Sequence, residues 1–273
     1  MQRFAPPDQL ARLRQRLAAL EGRGDAHGTG RLLLGEPVLD SLLGGGLEAH
    51  AVHELLPETP HAHATAAFLA ARIAAARLAS AQSGDVLWAT ATGDLFAPGL
   101  ARAGLAPDRL LVALADGDAA VLAAMEEAMA AAAVVVGEIR RPGAWLMAAS
   151  RRLQLRCQAH GTLALLLHRV PARARLPTAS RTVWAVAPAP CALPLHRPLF
   201  AGVGGVGLGP ARLSLTLLRA RGAAAAALPR RFLVDLAPGP AGVSHAPPRL
   251  AVVAELAGGA VAAGAHPRAR AAF

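Results

Sequence analysis

The sequence contains no lysine and no tyrosine, so all 28 of its basic side chains are arginine. The missing lysine removes the cation that a working phosphate-binding loop uses to pair with the β and γ phosphates of a nucleotide. The two cysteines, Cys157 and Cys191, form no metal-binding or redox spacing and are expected as buried, reduced thiols. Long apolar runs are scarce too. Residues 128–136 and 163–167 fall far short of the roughly 20 residues that a membrane-spanning helix needs. Residues 1–20 carry arginines throughout and do not read as a secretory leader. A cytoplasmic protein without membrane contact is the expectation.

Alanine, leucine, valine and glycine dominate what remains, enough to bury a sizeable core. The formal net charge is +10, which favours polyanionic partners such as DNA. Residues 8–21 predict a short helix after Pro6 and Pro7, capped by Asp8 and ended by Gly22. Leu10, Leu13, Leu17 and Leu20 lie on one stripe of it, suited either to docking on a partner or to packing on the chain's own core. A glycine-rich linker follows, so residues 1–30 read as a unit set apart.

From residue 31 strand-like and helix-like segments alternate. Strands are predicted at 51–56, 85–89, 109–114, 133–139 and 162–168, and helices at 62–81, 95–103, 119–132 and 144–159. This rhythm predicts an α/β fold: a mostly parallel sheet with helices on both faces. After Pro171 the strands at 182–187, 212–219 and 232–236 have no long helices between them, which predicts antiparallel additions at one edge. Residues 188–210 read as a Pro/Gly-rich loop. Residues 238–273 read as a loosely held tail with one apolar patch at 250–256. The core domain is therefore placed at 31–237.

Residues 51–69 have the strand–loop–helix layout of a phosphate-binding loop, yet the chemistry is gone. Pro57 and Ala62 stand where glycines belong, His63 where lysine belongs, and Ala64 where the hydroxyl residue belongs. Pro57 and Pro60 delete backbone donors, and Glu58 would put negative charge where phosphate sits. Neither nucleotide nor any other cofactor is expected. His50, His53, His61 and His63 are close in sequence, but nothing completes a zinc set, and they read as surface histidines. No G-x-S-x-G elbow surrounds Ser41, Ser150 or Ser180. The run Gly202–Gly209 precedes a strand rather than a helix, so it is not read as a dinucleotide loop.

Several segments in order resemble one family. They are Leu39-Asp40-Ser41-Leu42-Leu43-Gly44-Gly45-Gly46-Leu47, His53-Glu54-Leu55-Leu56 and Val86-Leu87-Trp88. Asp94-Leu95-Phe96-Ala97-Pro98-Gly99-Leu100, Ser150-Arg151-Arg152-Leu153-Gln154-Leu155 and the strand from Thr182 to Pro190 complete the set. Together they resemble the ImuA family, RecA-like accessory proteins of bacterial mutagenesis cassettes. The resemblance implies a RecA-like three-layer sandwich and a non-enzymatic role in SOS-induced, error-prone translesion DNA synthesis. It implies three partners: an ImuB-like protein, RecA and an error-prone replicative-type polymerase. It also implies a nucleoid-associated location. The family's link to SulA makes a cell-division inhibitor acting on FtsZ the alternative, and a RecA-like DNA-dependent ATPase a second one.

Compared with RecA itself, the catalytic glutamate would fall near Ala91 or Thr92, neither acidic, with Asp94 further along. Gly137 leaves the aspartate of the second nucleotide motif without an equivalent. Glu138 reads as structural, and His168 stands where RecA carries its phosphate-sensing glutamine. By the same resemblance, residues 170–181 face DNA, with Arg169, Arg173, Arg175 and Arg181 as candidate contacts to single-stranded DNA or RecA. Trp145 and Trp184 lie outside that loop, so base stacking there is not expected.

Overall fold

A computed structural model describes residues 30–81, 84–171, 176–190, 198–200, 203–206, 211–221, 228–237 and 249–256. The leucine stripe, Cys191, Arg173 and Arg175 lie outside these. The strands are β1 (Arg31–Leu32), β2 (Leu47–Glu48), β3 (Val52–Pro57), β4 (Val86–Thr90), β5 (Leu110–Leu114), β6 (Val134–Ile139) and β7 (Leu163–His168). After them come β8 (Thr182–Ala189), β9 (Pro198–Phe200), β10 (Val203–Val206), β11 (Arg212–Ala220), β12 (Arg230–Ala237) and β13 (Arg249–Leu256). The helices are α1 (Pro37–Leu42), α2 (His63–Ala81), α3 (Ala97–Arg102), α4 (Gly117–Ala128) and α5 (Leu146–His160).

Nine strands form one sheet in the order β13-β12-β11-β8-β3-β7-β6-β4-β5. The pairings from β8 to β5 are parallel, and those joining β8, β11, β12 and β13 are antiparallel. This is the RecA-like α/β sandwich with antiparallel edge strands. β3, β6 and β7 are buried along their whole length, because helices cover both faces. That is why they read as continuous apolar runs rather than alternating ones.

α2 packs on one face through Ala66, Leu69, Ala70 and Ile73, spaced as one side of a helix. By length and composition the segment Pro60–Ala81 would also pass as a membrane span, but here this apolar side lies in the core beside Leu55, Trp88 and Leu165. Leu100 and Ala103 of the α3 region join the same face. α4 and α5 cover the other through Val121, Met125, Leu153 and Cys157. The carboxyl ends of β3, β4, β6 and β7 therefore meet where the connecting helices diverge, the crevice in which such sheets place ligands.

The Leu-Asp-x-Leu-Leu-Gly-Gly-Gly-Leu segment has a local cause. Glu36 caps α1, and the Asp40 carboxylate accepts from Leu34 N at 2.8 Å and Gly35 N at 3.1 Å. The Asp40 carbonyl accepts from Gly45 and Gly46, which turn the chain back into β2 with positive φ. A β-carbon on Gly46 would run into the Leu32 carbonyl, so only glycine closes this turn.

Two expectations about the later chain are corrected. Residues 250–256 belong to edge strand β13, paired antiparallel with β12, because Leu250 adds to the core face beside Val234. The stretch 188–210 holds the β9–β10 antiparallel pair rather than loop alone.

Candidate functional site

The loop after β3 is pulled tight. Glu58 N donates to Val186 O at 2.9 Å, a short 3-10 turn spans Pro60–Ala62, and α2 begins at His63. Ala62 is fully buried. The Glu58 carboxylate turns to the antiparallel extension, accepting from Arg231 and Thr216 at 3.3 Å each. This corrects the expectation that Glu58 repels a phosphate at the loop.

His63 reaches into the crevice. Its Nδ1 donates to the His168 carbonyl at 3.4 Å, and its Nε2 lies 3.8 Å from Glu138 Oε2. Burial lowers its pKa below the ordinary imidazole value. Attraction to Glu138 opposes that, and the Arg169 charge adds to it. The lysine position of the loop thus carries an imidazole that favours its neutral form.

Glu138 is buried, held by Trp88 Nε1 at 2.8 Å, Thr90 Oγ1 at 3.0 Å and Arg169 Nη1 at 2.7 Å. Strand alternation explains why this residue, rather than Gly137, faces α2. Gly137 faces α4, where a β-carbon would collide with Met125 Sδ. An acid at 137 is therefore sterically excluded, and the carboxylate sits one residue later on the other face.

Arg169 closes the crevice. Its guanidinium forks onto Asp94 at 2.6 and 3.0 Å, touches Thr92 Oγ1 at 2.9 Å, and bonds Glu138. The fork holds the Asp94 carboxyl well below the usual range, helped by the Thr92 hydroxyl, and raises the arginine in return. Its side chain is only 20% exposed. Two carboxylates thus already neutralise Arg169, which the sequence offered as a candidate DNA or RecA contact. Beside this knot lies a cavity of about 250 Å³ with a mainly apolar wall that includes Ala67, Phe68, Leu95 and Leu100.

A second buried cluster lies on the opposite face of the sheet. His168 Nε2 is 3.3 Å from Glu54 Oε2, and Ser180 Oγ donates to the other carboxylate oxygen. Burial alone would raise Glu54, but His168 and the Ser180 and Thr178 hydroxyls outweigh it and hold the carboxyl low. Thr178, Ala179 and Ser180 are all buried, so this end of the 170–181 loop lines the core. Arg181 is half-buried and pairs with Glu48 at 2.9 Å.

The histidines do not share one surface. His53 is buried, with Nε2 donating to Glu48 O and Nδ1 accepting from Thr182 Oγ1, both at 2.8 Å. Thr182 in turn accepts from the Trp184 indole at 2.9 Å. This neutral-imidazole chain corrects the surface reading of His53. Burial pushes its pKa down to about 4. Among the described residues no three His, Cys, Asp or Glu side chains converge as a metal set. Cys157 is buried and free, and burial pushes its thiol up to about 12.

The sequence singled out Pro57, Ala62, His63 and Ala64. It missed that Arg169, Asp94 and Glu138 lock together, because residues 31 and 75 positions apart meet only through the sheet. No family model matches the chain. It is 34% identical over 205 residues to Protein ImuA of Caulobacter vibrioides strain NA1000 / CB15N. The match covers 70% of this chain and 79% of that protein, and Protein ImuA of strain ATCC 19089 / CIP 103742 / CB 15 matches equally. With the RecA-like sheet in place and the motif segments in the same order, the chain belongs to the ImuA family.

Proposed function

We propose that this chain is a non-enzymatic accessory of error-prone translesion DNA synthesis, induced by DNA damage and working at the nucleoid. It links an ImuB-like protein, RecA and an error-prone replicative-type polymerase, and contacts single-stranded DNA. The observation that carries the non-enzymatic reading is the Arg169 guanidinium bound to both Glu138 and Asp94 beside a loop whose lysine position is His63. An internal cation neutralises the acids that would hold Mg²⁺, and the prolines remove phosphate-binding amides. A RecA fold stripped in this way offers surface rather than turnover.

Within that role, the Leu10, Leu13, Leu17 and Leu20 stripe docks a partner, and the arginine-rich surface meets DNA. The test is co-purification of the tagged chain with an ImuB-like protein and RecA, with FtsZ as control. Capture of either of the first two, lost in Leu13→Glu/Leu17→Glu, supports the scaffold. Capture of FtsZ alone overturns it in favour of a division inhibitor.

A further inference from the structure

Several of the described arginines are already neutralised. Arg109, Arg152, Arg169, Arg181, Arg212, Arg230 and Arg231 all pair with carboxylates. Arg140 and Arg141 differ. Both are exposed, and neither guanidinium has a carboxylate partner among the described residues. They stand at the turn between β6 and α5, on the rim of a groove of about 680 Å³.

The groove is built rather than incidental. Asp118, in the first turn of α4, accepts from Arg140 N at 3.0 Å and Arg141 N at 2.8 Å. Those two bonds fix the backbone of the turn and leave both side chains at the surface. Leu122 and Ala149 line the groove from the core side. Trp145, at the start of α5, also lines it and is 40% exposed, whereas Trp88 and Trp184 are buried. Among the ionisable lining residues, Arg140 and Arg141 stand beside Asp118, while Arg152 is paired with Glu126. Leu122 and Ala149 pack on the sheet face opposite α2, so the groove does not share the Arg169 crevice.

Arginine forks match phosphate oxygens, and an exposed indole offers a stacking face to any base. A peptide carboxylate would satisfy the arginines but leave the ring without a planar partner. A duplex would satisfy the arginines but keep its bases stacked on each other. We propose that this groove binds single-stranded nucleic acid, with Arg140 and Arg141 on consecutive phosphates and an unstacked base on Trp145. The proposal deepens the accessory reading, on which its relevance to damaged DNA rests. It places the contact at the β6–α5 turn, apart from the 170–181 loop that the sequence suggested.

The test uses the full chain, a fluorescein-labelled dT20 oligonucleotide, the matching duplex and polyglutamate as probes. Trp145 fluorescence should be quenched by dT20, and anisotropy should show tighter binding of dT20 than of duplex. Arg140→Ala/Arg141→Ala should weaken dT20 binding about ten-fold or more and flatten the log–log salt slope by about 1.4, at roughly 0.7 per phosphate. Trp145→Ala should lose about ten-fold and Trp145→Phe should recover most of it, since any aromatic face stacks. Arg173→Ala/Arg175→Ala should bind like the parent. Arg140, Arg141 and Trp145 are exposed, so matching thermal melts will verify that the groove variants fold. Unchanged binding in the groove variants overturns the proposal, as does binding of polyglutamate but not dT20. Groove-dependent dT20 binding without partner capture leaves this site standing and overturns the scaffold instead. Partner capture without dT20 binding does the reverse.

Discussion

Arg169 Nη1 lies 2.7 Å from Glu138 Oε2, so the cation that closes this crevice comes from the protein's own seventh strand connection. The pair is largely shielded from water, and a buried carboxylate stripped of its countercharge is costly. Arg169→Ala should therefore lower stability by about 2–3 kcal/mol, below the fully buried range because the arginine is partly exposed. Glu138→Gln keeps the Trp88 and Thr90 contacts in shape and should cost less. Urea denaturation of both variants measures the difference, and equal losses would contradict the ion-pair account.

Nucleotide chemistry should not return with the motif alone. His63→Lys with Ala64→Thr restores two side chains but leaves Pro57, Pro60 and the Arg169 fork in place. Phosphate release should stay at background in the parent and in this double variant. ATP with Mg²⁺ should not raise the melting temperature of either. Micromolar ATP binding by the parent would refute the reading.

The buried His53 predicts a specific pH dependence. Its folded pKa, about 4, lies below the ordinary 6.5, so the unfolded chain takes up the proton first as pH falls. Its contribution is therefore intact above pH 6.5 and is lost between 6.5 and about 4. The total loss is about 3 kcal/mol, from roughly 1.4 kcal/mol per pKa unit. Urea melts from pH 7.5 to 4 should show this slope, and His53→Gln should flatten it. Glu54 acts lower: its depressed carboxyl contributes stability above its ordinary 4.5, lost as pH falls through the folded value. Glu54→Gln should remove that acid limb and leave the His53 region unchanged.

Gly137→Ala should destabilise by about 1–3 kcal/mol through overpacking against Met125. Gly137→Ala/Met125→Ala should lose less than the sum of its single variants. Strict additivity in thermal melts would show that the two side chains do not compete for one space.

The core elements were legible because their periods are strong. α2 carries buried residues at helical spacing, and β3, β6 and β7 are short apolar runs separated by turns. The failed phosphate loop was legible because its chemistry depends on residue type at consecutive positions, which Pro57, Ala62, His63 and Ala64 display directly. β13 was harder to see. Its strand character comes from pairing with β12, while its flanks are Ala, Gly and Pro. His53 looked superficial for a similar reason: no local pattern announces a Thr182 partner 129 positions away.

The sequence by itself determined the alternation of strands and helices, the loss of the lysine chemistry and the family. Each of these is written in local order and residue type. Only the tertiary structure decided which arginines are spent and which are free. Arg169 and Arg181 looked like open cations in the chain, yet folding brings Asp94, Glu138 and Glu48 against them. Arg140 and Arg141 looked the same, yet folding leaves their guanidinium groups beside Trp145 without a carboxylate partner among the described residues. Charge neutralisation acts over a few ångströms of space, and sequence distance carries no information about it.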